Sequence, residues 1–340
     1  MSRANTLQIR AQNEPSKWIC LTLVLLSASF CTLFTFNWRY DFSYKALNPR
    51  LWQYFLAIFS GGALGVAGLM LQKLTKNPLA DISLLGIGSL NIIAISIFIY
   101  LSFDGEKTSL PFLKAVLPII SLLASLAGTA IVYWLTKKKK TSKSFVISGI
   151  AFQFLCEAIS VSILSFIKSN KENAQQIFVE ISNYSYGKFP NISEVSLFPE
   201  WRITTIVSFL LIAVIAIAIW VFRRELELME IGEDYATSQG IQVKKLRIIL
   251  FTAIALLAGI ESALVGTISL LGIIAPHISK FLFGNKASSN VIASFIIGAL
   301  LVVLATFFSV NLSQNVPIGI FSTALITPIF LFLLLKNKNL

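Results

Sequence analysis

Long apolar runs separated by short polar connectors occupy most of this chain. The runs cover residues 18–36, 52–74, 84–103, 115–135, 145–167, 203–222, 248–265, 268–283, 291–310 and 318–335. Most approach the roughly 20 residues that an α-helix needs to cross a hydrocarbon core, and only helices or closed barrels satisfy backbone hydrogen bonds there. The pattern predicts an all-α polytopic membrane protein with about ten transmembrane helices. The eighth run is short and contains Pro276 and His277, so it is expected to bend or end early. A polar tail, residues 1–17, precedes the first run, which lacks a small-x-small cleavage site and reads as a span, not a removed signal.

The polar interruption at residues 223–247 stands out. Arg223 and Arg224 on one side and Lys244, Lys245 and Arg247 on the other hold it at the inner face. Between them Glu230, Ile231, Gly232, Glu233, Asp234 and Tyr235 lead to Gly240, with acids early and a glycine just past the end of one short helix. A second turn is expected at residues 241–245. Ile231 and Tyr235 fall four apart, on one face of such a helix. That face is either a docking knob for a soluble partner or a solvated connector, and spacing alone leaves both open.

Composition agrees with membrane burial. The chain is 56% hydrophobic and 13% charged, with a mean hydropathy of +0.77. A net charge of +12 is topological here, because the cations sit in connectors; nucleic-acid binding is not indicated. With the N-terminus inside, 19 of the 28 Lys and Arg lie on the inner side and 9 on the outer, which predicts cytoplasmic termini. Residues 168–201 form the longest outer loop and mix prolines with aromatics, as a short helix lying on the membrane surface would. Cys20, Cys31 and Cys156 lie inside apolar runs without CxxC spacing, so no disulfide, metal or cofactor site is indicated.

Two features point to internal duplication. Ser83-Leu84-Leu85-Gly86-Ile87 recurs as Ser269-Leu270-Leu271-Gly272-Ile273, each copy following a glycine-containing span. The topology puts one copy inside and the other outside, as in inverted repeats, so spans two to five and seven to ten would be the two units. Gly61, Gly62, Gly65 and Gly68 strip bulk from the second span and predict a helix at the bundle centre, lining a pathway or simply packing tightly. Beyond it Asn77 and Pro78 force a turn.

The segment Gln72-x-Leu74-Thr75-Lys76-Asn77-Pro78-Leu79-Ala80-Asp81, followed by Leu84-Leu85-Gly86, resembles the signature of the FecCD-type permeases. These are membrane subunits of bacterial ABC importers for iron-siderophores, haem and cobalamin. Gly232-Glu233 through Gly240 with Lys244-Lys245-Leu246-Arg247 is similar to their cytoplasmic coupling loop. Gly272-x-x-x-Pro276-His277-Ile278 is similar to their eighth-helix motif, and Pro317-x-Gly319-Ile320 with Pro328-x-Phe330 to that of their last helix. The resemblance runs in order along nearly the whole chain. It implies one BtuC-like transmembrane permease domain over residues 1–340 and assembly with a second permease subunit as a homo- or heterodimer. It also implies two ATPase subunits on the cytoplasmic loops and an extracellular or periplasmic substrate-binding protein delivering ligand. Arg50 is the docking candidate for that protein. Where the family has R-L-P-R, this chain has Arg50-Leu51-Trp52-Gln53, keeping the first cation and losing the second.

No G-x-x-x-x-G-K-[ST] occurs, so ATP would be bound by another polypeptide. Ionisable residues inside the spans are chiefly Glu157, Glu261 and His277, too few for an obvious proton relay, and His277 reads more simply as a hydrogen-bonded helix residue. Paired catalytic carboxylates, H-E-x-x-H and a nucleophile–base constellation are all missing, so no enzyme is indicated. The expectation is a non-catalytic permease importing ferric siderophore across the bacterial cytoplasmic membrane. Haem or cobalamin import is the alternative, and an ion-coupled secondary transporter is disfavoured.

Overall fold

A computed structural model describes residues 44–82, 86–102, 110–136, 142–170, 199–312 and 316–336, together with scattered positions between 171 and 198. Among the described residues there are eleven helices: α1 (Tyr44–Thr75), α2 (Ile87–Ser102), α3 (Leu110–Thr136), α4 (Ser142–Asn170), α5 (Pro199–Val221), α6 (Arg223–Ile231), α7 (Glu233–Ser238), α8 (Val243–Val265), α9 (Leu271–Phe283), α10 (Ala287–Leu312) and α11 (Ile318–Lys336). Nine of them coincide with the second to tenth apolar runs. The first run, the polar tail and most of the outer loop lie outside the described residues.

Six helices, α1, α3, α4, α5, α8 and α10, are long and apolar enough to cross a bilayer. Helix α9 is not. Its 13 residues span about 20 Å at 1.5 Å per residue, short of a hydrocarbon core of about 30 Å. Pro276 does not end this helix early: α9 stays helical through it to Phe283, the end of the apolar run, and is short because it starts late, at Leu271. Gly266 leaves α8 at φ +87°, and Leu270 sits at φ +65° immediately before α9, so the chain between them is not helical. The third run is trimmed likewise, with α2 opening after Gly86 at φ +63°.

The two halves pack alike. Helix α1 lies chiefly on α10, and its counterpart α8 lies on α3; α9 pairs with α10 as α2 does with α3. Each first helix also ends in a left-handed residue, Lys76 (φ +50°) or Gly266, and each second helix follows another, Gly86 or Leu270. The geometry therefore matches Gly86 with Leu270, whereas the repeated string matches Gly86 with Gly272. The duplication is in the fold, and the string similarity is out of step with it by two residues.

Helix α1 is the centre of the bundle, as its glycines predict. Residues 60–73 are buried without exception. A Cβ at Gly61 would lie 2.3 Å from the Gly298 carbonyl oxygen, one at Gly65 2.1 Å from that of Ser294, and one at Gly68 2.0 Å from that of Gly272. Gly62 faces the Phe295 ring. Backbone thus meets backbone where α1 crosses α10 and α9, an approach that small residues alone permit. In the other half Gly259 of α8 makes room for the Ser125 side chain and the Ser121 carbonyl of α3.

Candidate functional site

The polar interruption folds as two helices, not one. Gly232 is fully extended (φ 173°, ψ 147°) and separates α6 from α7, so Ile231 and Tyr235 are on different helices. Both are nonetheless exposed, at 69% and 47%, beside exposed Asp234. The apolar knob exists, built from the end of one helix and the start of the next. The turn expected at residues 241–245 is also absorbed, because α8 begins at Val243. Gly240 closes α7 as anticipated: it is left-handed (φ +86°), its N–H donates to Thr237 O (3.0 Å), and Ile241 N–H donates to Ala236 O (3.1 Å). That pair of bonds is the Schellman arrangement, which favours glycine. Glu233 forms an ion pair with Arg247 of α8.

Glu230 is turned partly away from the exposed knob, its side chain 31% exposed. Its carboxylate is ion-paired with Lys73, in the last turn of α1, whose side chain is only 2% exposed. The other carboxylate oxygen accepts from Asn285 Nδ2 at 3.3 Å. One turn earlier Glu227 accepts the backbone N–H of Ala287 at 2.7 Å, placing a carboxylate at the positive end of α10. Leu226 and Met229 are buried beside these acids, so α6 has an inward face that is both apolar and anionic. Arg223 fixes the approach by lying 4.2 Å over the Trp220 ring, a cation–π contact at the α5–α6 junction.

At the end of α1, Lys76 turns left-handed, Asn77 N–H donates to Gln72 O (3.2 Å), and Asn77 Oδ1 accepts from Leu79 N–H (3.0 Å). Asn77 and Pro78 therefore stop the helix. His277 directs Nδ1 to the Ile273 carbonyl at 2.7 Å, a bond within its own helix. Pro317 precedes α11, and Gly319 N–H donates to Gly187 O (3.2 Å), tying the start of that helix to the 171–198 segment. Arg50 sits in the second turn of α1, about 35 Å from Lys73 along the axis at 1.5 Å per residue.

A cavity of about 210 Å³ opens among α1, α2, α4 and α8, with Asp81, Glu157 and Glu261 on its wall beside Gln153, Ser262 and Thr267. Glu261 is 3% exposed and its Oε1 has no hydrogen-bond partner. Among the described residues no group of three or more His, Cys, Asp or Glu is arranged to hold a metal ion. Sequence reading missed three things: this gathering of acids, the burial of Lys73 and the role of Glu227. The only available signal was the three-residue spacing of Glu227 and Glu230 beside Leu226 and Met229, which puts all four toward one side of a helix.

These features define a polytopic helical membrane protein with a two-helix appendage between two of its spans. Residues 18–336 match the model of the FecCD transport family, and the chain belongs to that family. Among curated relatives, the Fe(3+)-citrate import system permease protein YfmE of Bacillus subtilis is 31% identical over 87% of this chain and 83% of its own. The iron(3+)-hydroxamate import system permease protein FhuG of the same organism is 30% identical over 84% and 82%. The hemin transport system permease protein HmuU of Yersinia pestis is 28% identical over 92% and 90%. A solved chain from an inward-facing ABC transporter assigned to the metal-chelate type superposes with a TM-score of 0.77 at 20% identity, covering 95% of this chain and all of that one. It carries the same BtuC-like fold.

Proposed function

We propose that this chain is the permease subunit of an ATP-driven importer that moves ferric siderophore inward across the bacterial cytoplasmic membrane, with both termini cytoplasmic. The observation that carries the reading is the α6–α7 unit. It offers Ile231 and Tyr235 to the cytoplasm from a base clamped to the bundle, as a soluble ATPase subunit would require. A second permease subunit is supported by α4, which exposes Glu157 within an otherwise apolar span. Glu157 lies at the mouth of the acid-lined cavity, and an intramembrane carboxylate is costly unless watered or partnered, so that face suits a partner subunit and a watered pathway between the two. Relatives named for ferric hydroxamate and ferric citrate favour an iron chelate, and the one named for hemin supports haem as the second reading.

The test is reconstitution with the ATPase and binding protein of the same transport system. Radioiron-labelled ferric hydroxamate should enter vesicles only with ATP, and Ile231→Asp should abolish ATPase retention. Uptake of hemin alone would shift the substrate to haem. Uptake that needs no ATPase and collapses with the ion gradient would instead favour a carrier working through Asp81, Glu157 and Glu261.

A further inference from the structure

Helix α6 is bound to the bundle by bonds that bypass its sequence neighbours. Its inward acids, Glu227 and Glu230, reach the end of α1 through Lys73, the α9–α10 connector through Asn285, and the first N–H of α10 through Ala287. Lys280, in the last turn of α9, adds a second cation close enough to interact with both Lys73 and Glu230. Lys73 is buried, so its ammonium depends on Glu230 for a counter-charge in a way that an exposed pair would not. The link from α7 to α8, Glu233 to Arg247, has neither partner buried, at 46% and 32% exposed, and such a pair is weak by nature. The two helices that receive the inward bonds are the pair locked together at Gly61 with Gly298 and at Gly65 with Ser294.

We infer that the Lys73–Glu230 pair, with the Glu227 cap, is the joint through which movement of the α6–α7 unit is delivered to α1 and α10 as one rigid pair. Lys73, Glu227 and Glu230 are positioning residues: they hold the docking unit to the moving helices and touch neither ATP nor ligand. Force reaches the bundle centre across this joint, in addition to the covalent route into α5 and α8. The inference rests on the importer reading above.

The test uses the assembled transporter and reads radioiron-labelled ferric hydroxamate, as the ligand, imported per ATP hydrolysed, a ratio that loss of folded protein does not alter. Lys73→Met with Glu230→Gln removes the charges without leaving one buried and unpaired. The complex should still retain its ATPase subunits and hydrolyse ATP, while ligand moved per ATP falls roughly tenfold. Lys73→Glu alone should be worse, and Lys73→Glu with Glu230→Lys should recover most of the parental ratio. An unchanged ratio in the neutral pair would overturn the inference, as would loss of ATPase subunits, which would make Glu230 a docking contact. Should the neutral pair not accumulate in membranes, the reversed pair decides: recovery over Lys73→Glu supports the joint, and no recovery overturns it. A parental chain that recruits no ATPase would instead defeat the importer reading, before any variant is compared.

Discussion

Gln72 of α1 donates its side-chain amide to the Gly272 carbonyl of α9 at 3.3 Å, and to that of Ile273 at 3.2 Å. The Gly272 carbonyl is the one that residue 276 would satisfy in an ordinary helix, and Pro276 has no N–H to give. A side chain from the first repeat thus completes a helix of the second, at the point where Gly68 and Gly272 bring the two backbones together. Buried carbonyls without partners are costly, which explains why α9 continues through its proline without a break.

Gln72→Leu should therefore destabilise the detergent-solubilised protein by about 1–3 kcal/mol, read as a lowered unfolding midpoint. Pro276→Ala restores the internal donor. In the Pro276→Ala background the Gln72→Leu loss should shrink, giving a non-additive double-mutant cycle. Additive effects would mean that the amide and the proline gap are unrelated.

Much of this architecture was legible in the chain because membranes write in long words: nine apolar runs became nine helices, and the glycines of residues 61–68 announced the central helix. What was not legible depends on contacts distant in sequence. Lys73 looked like one more inner-face cation and Glu230 like part of an exposed knob, because nothing local reveals that they meet. The break at Gly232 was hidden since an extended glycine leaves no signature different from a helical one. The late start of α9 was hidden too, because Ile268 and Leu270 extend its apolar run backwards, and the left-handed Leu270 is a conformation the sequence does not advertise.

Packing at the α1–α10 crossing gives a sharper steric prediction. A Cβ at Gly65 would sit 2.1 Å from the Ser294 carbonyl, and backbone cannot swing aside as a side chain can. Gly65→Ala should destabilise by about 1–3 kcal/mol and sharply reduce the amount of folded protein in the membrane, assayed by fluorescence-detected size exclusion. Gly232→Ala meets nothing closer than Tyr235 Cβ at 3.9 Å and requires no unusual φ, so it should be near neutral. Equal behaviour of the two would contradict the close crossing.

At the opposite end of α1, Arg50 is expected to pair with an acid of the substrate-binding protein. Removing one partner of a desolvated charge pair costs about 2–5 kcal/mol, mostly through the charge left behind. Arg50→Glu should weaken binding-protein affinity for the nanodisc-embedded complex accordingly, with the largest difference at low salt. Parental affinity at low salt would remove Arg50 from the docking surface.

Gly240 offers a test of the docking unit that leaves the bundle alone. Its left-handed φ of +86° is needed for the two bonds that end α7, yet a Cβ there would meet nothing within 4 Å, so a substitution strains backbone without any clash. Gly240→Val should cost on the order of 1–2 kcal/mol, too little to unfold the bundle but enough to shift where Ile231 and Tyr235 stand. Gly284→Val would not serve as a control, because Gly284 is also left-handed (φ +76°) and lies beside Asn285, which bonds Glu230. Thr237→Ala is more suitable, because it keeps the glycine turn and removes only an exposed bond to the Glu233 carbonyl. Gly240→Val should insert and assemble at parental levels while loaded binding protein no longer stimulates ATP hydrolysis, and Thr237→Ala should respond normally. Full stimulation and import by Gly240→Val would show that α7 is a connector whose position the ATPase does not read.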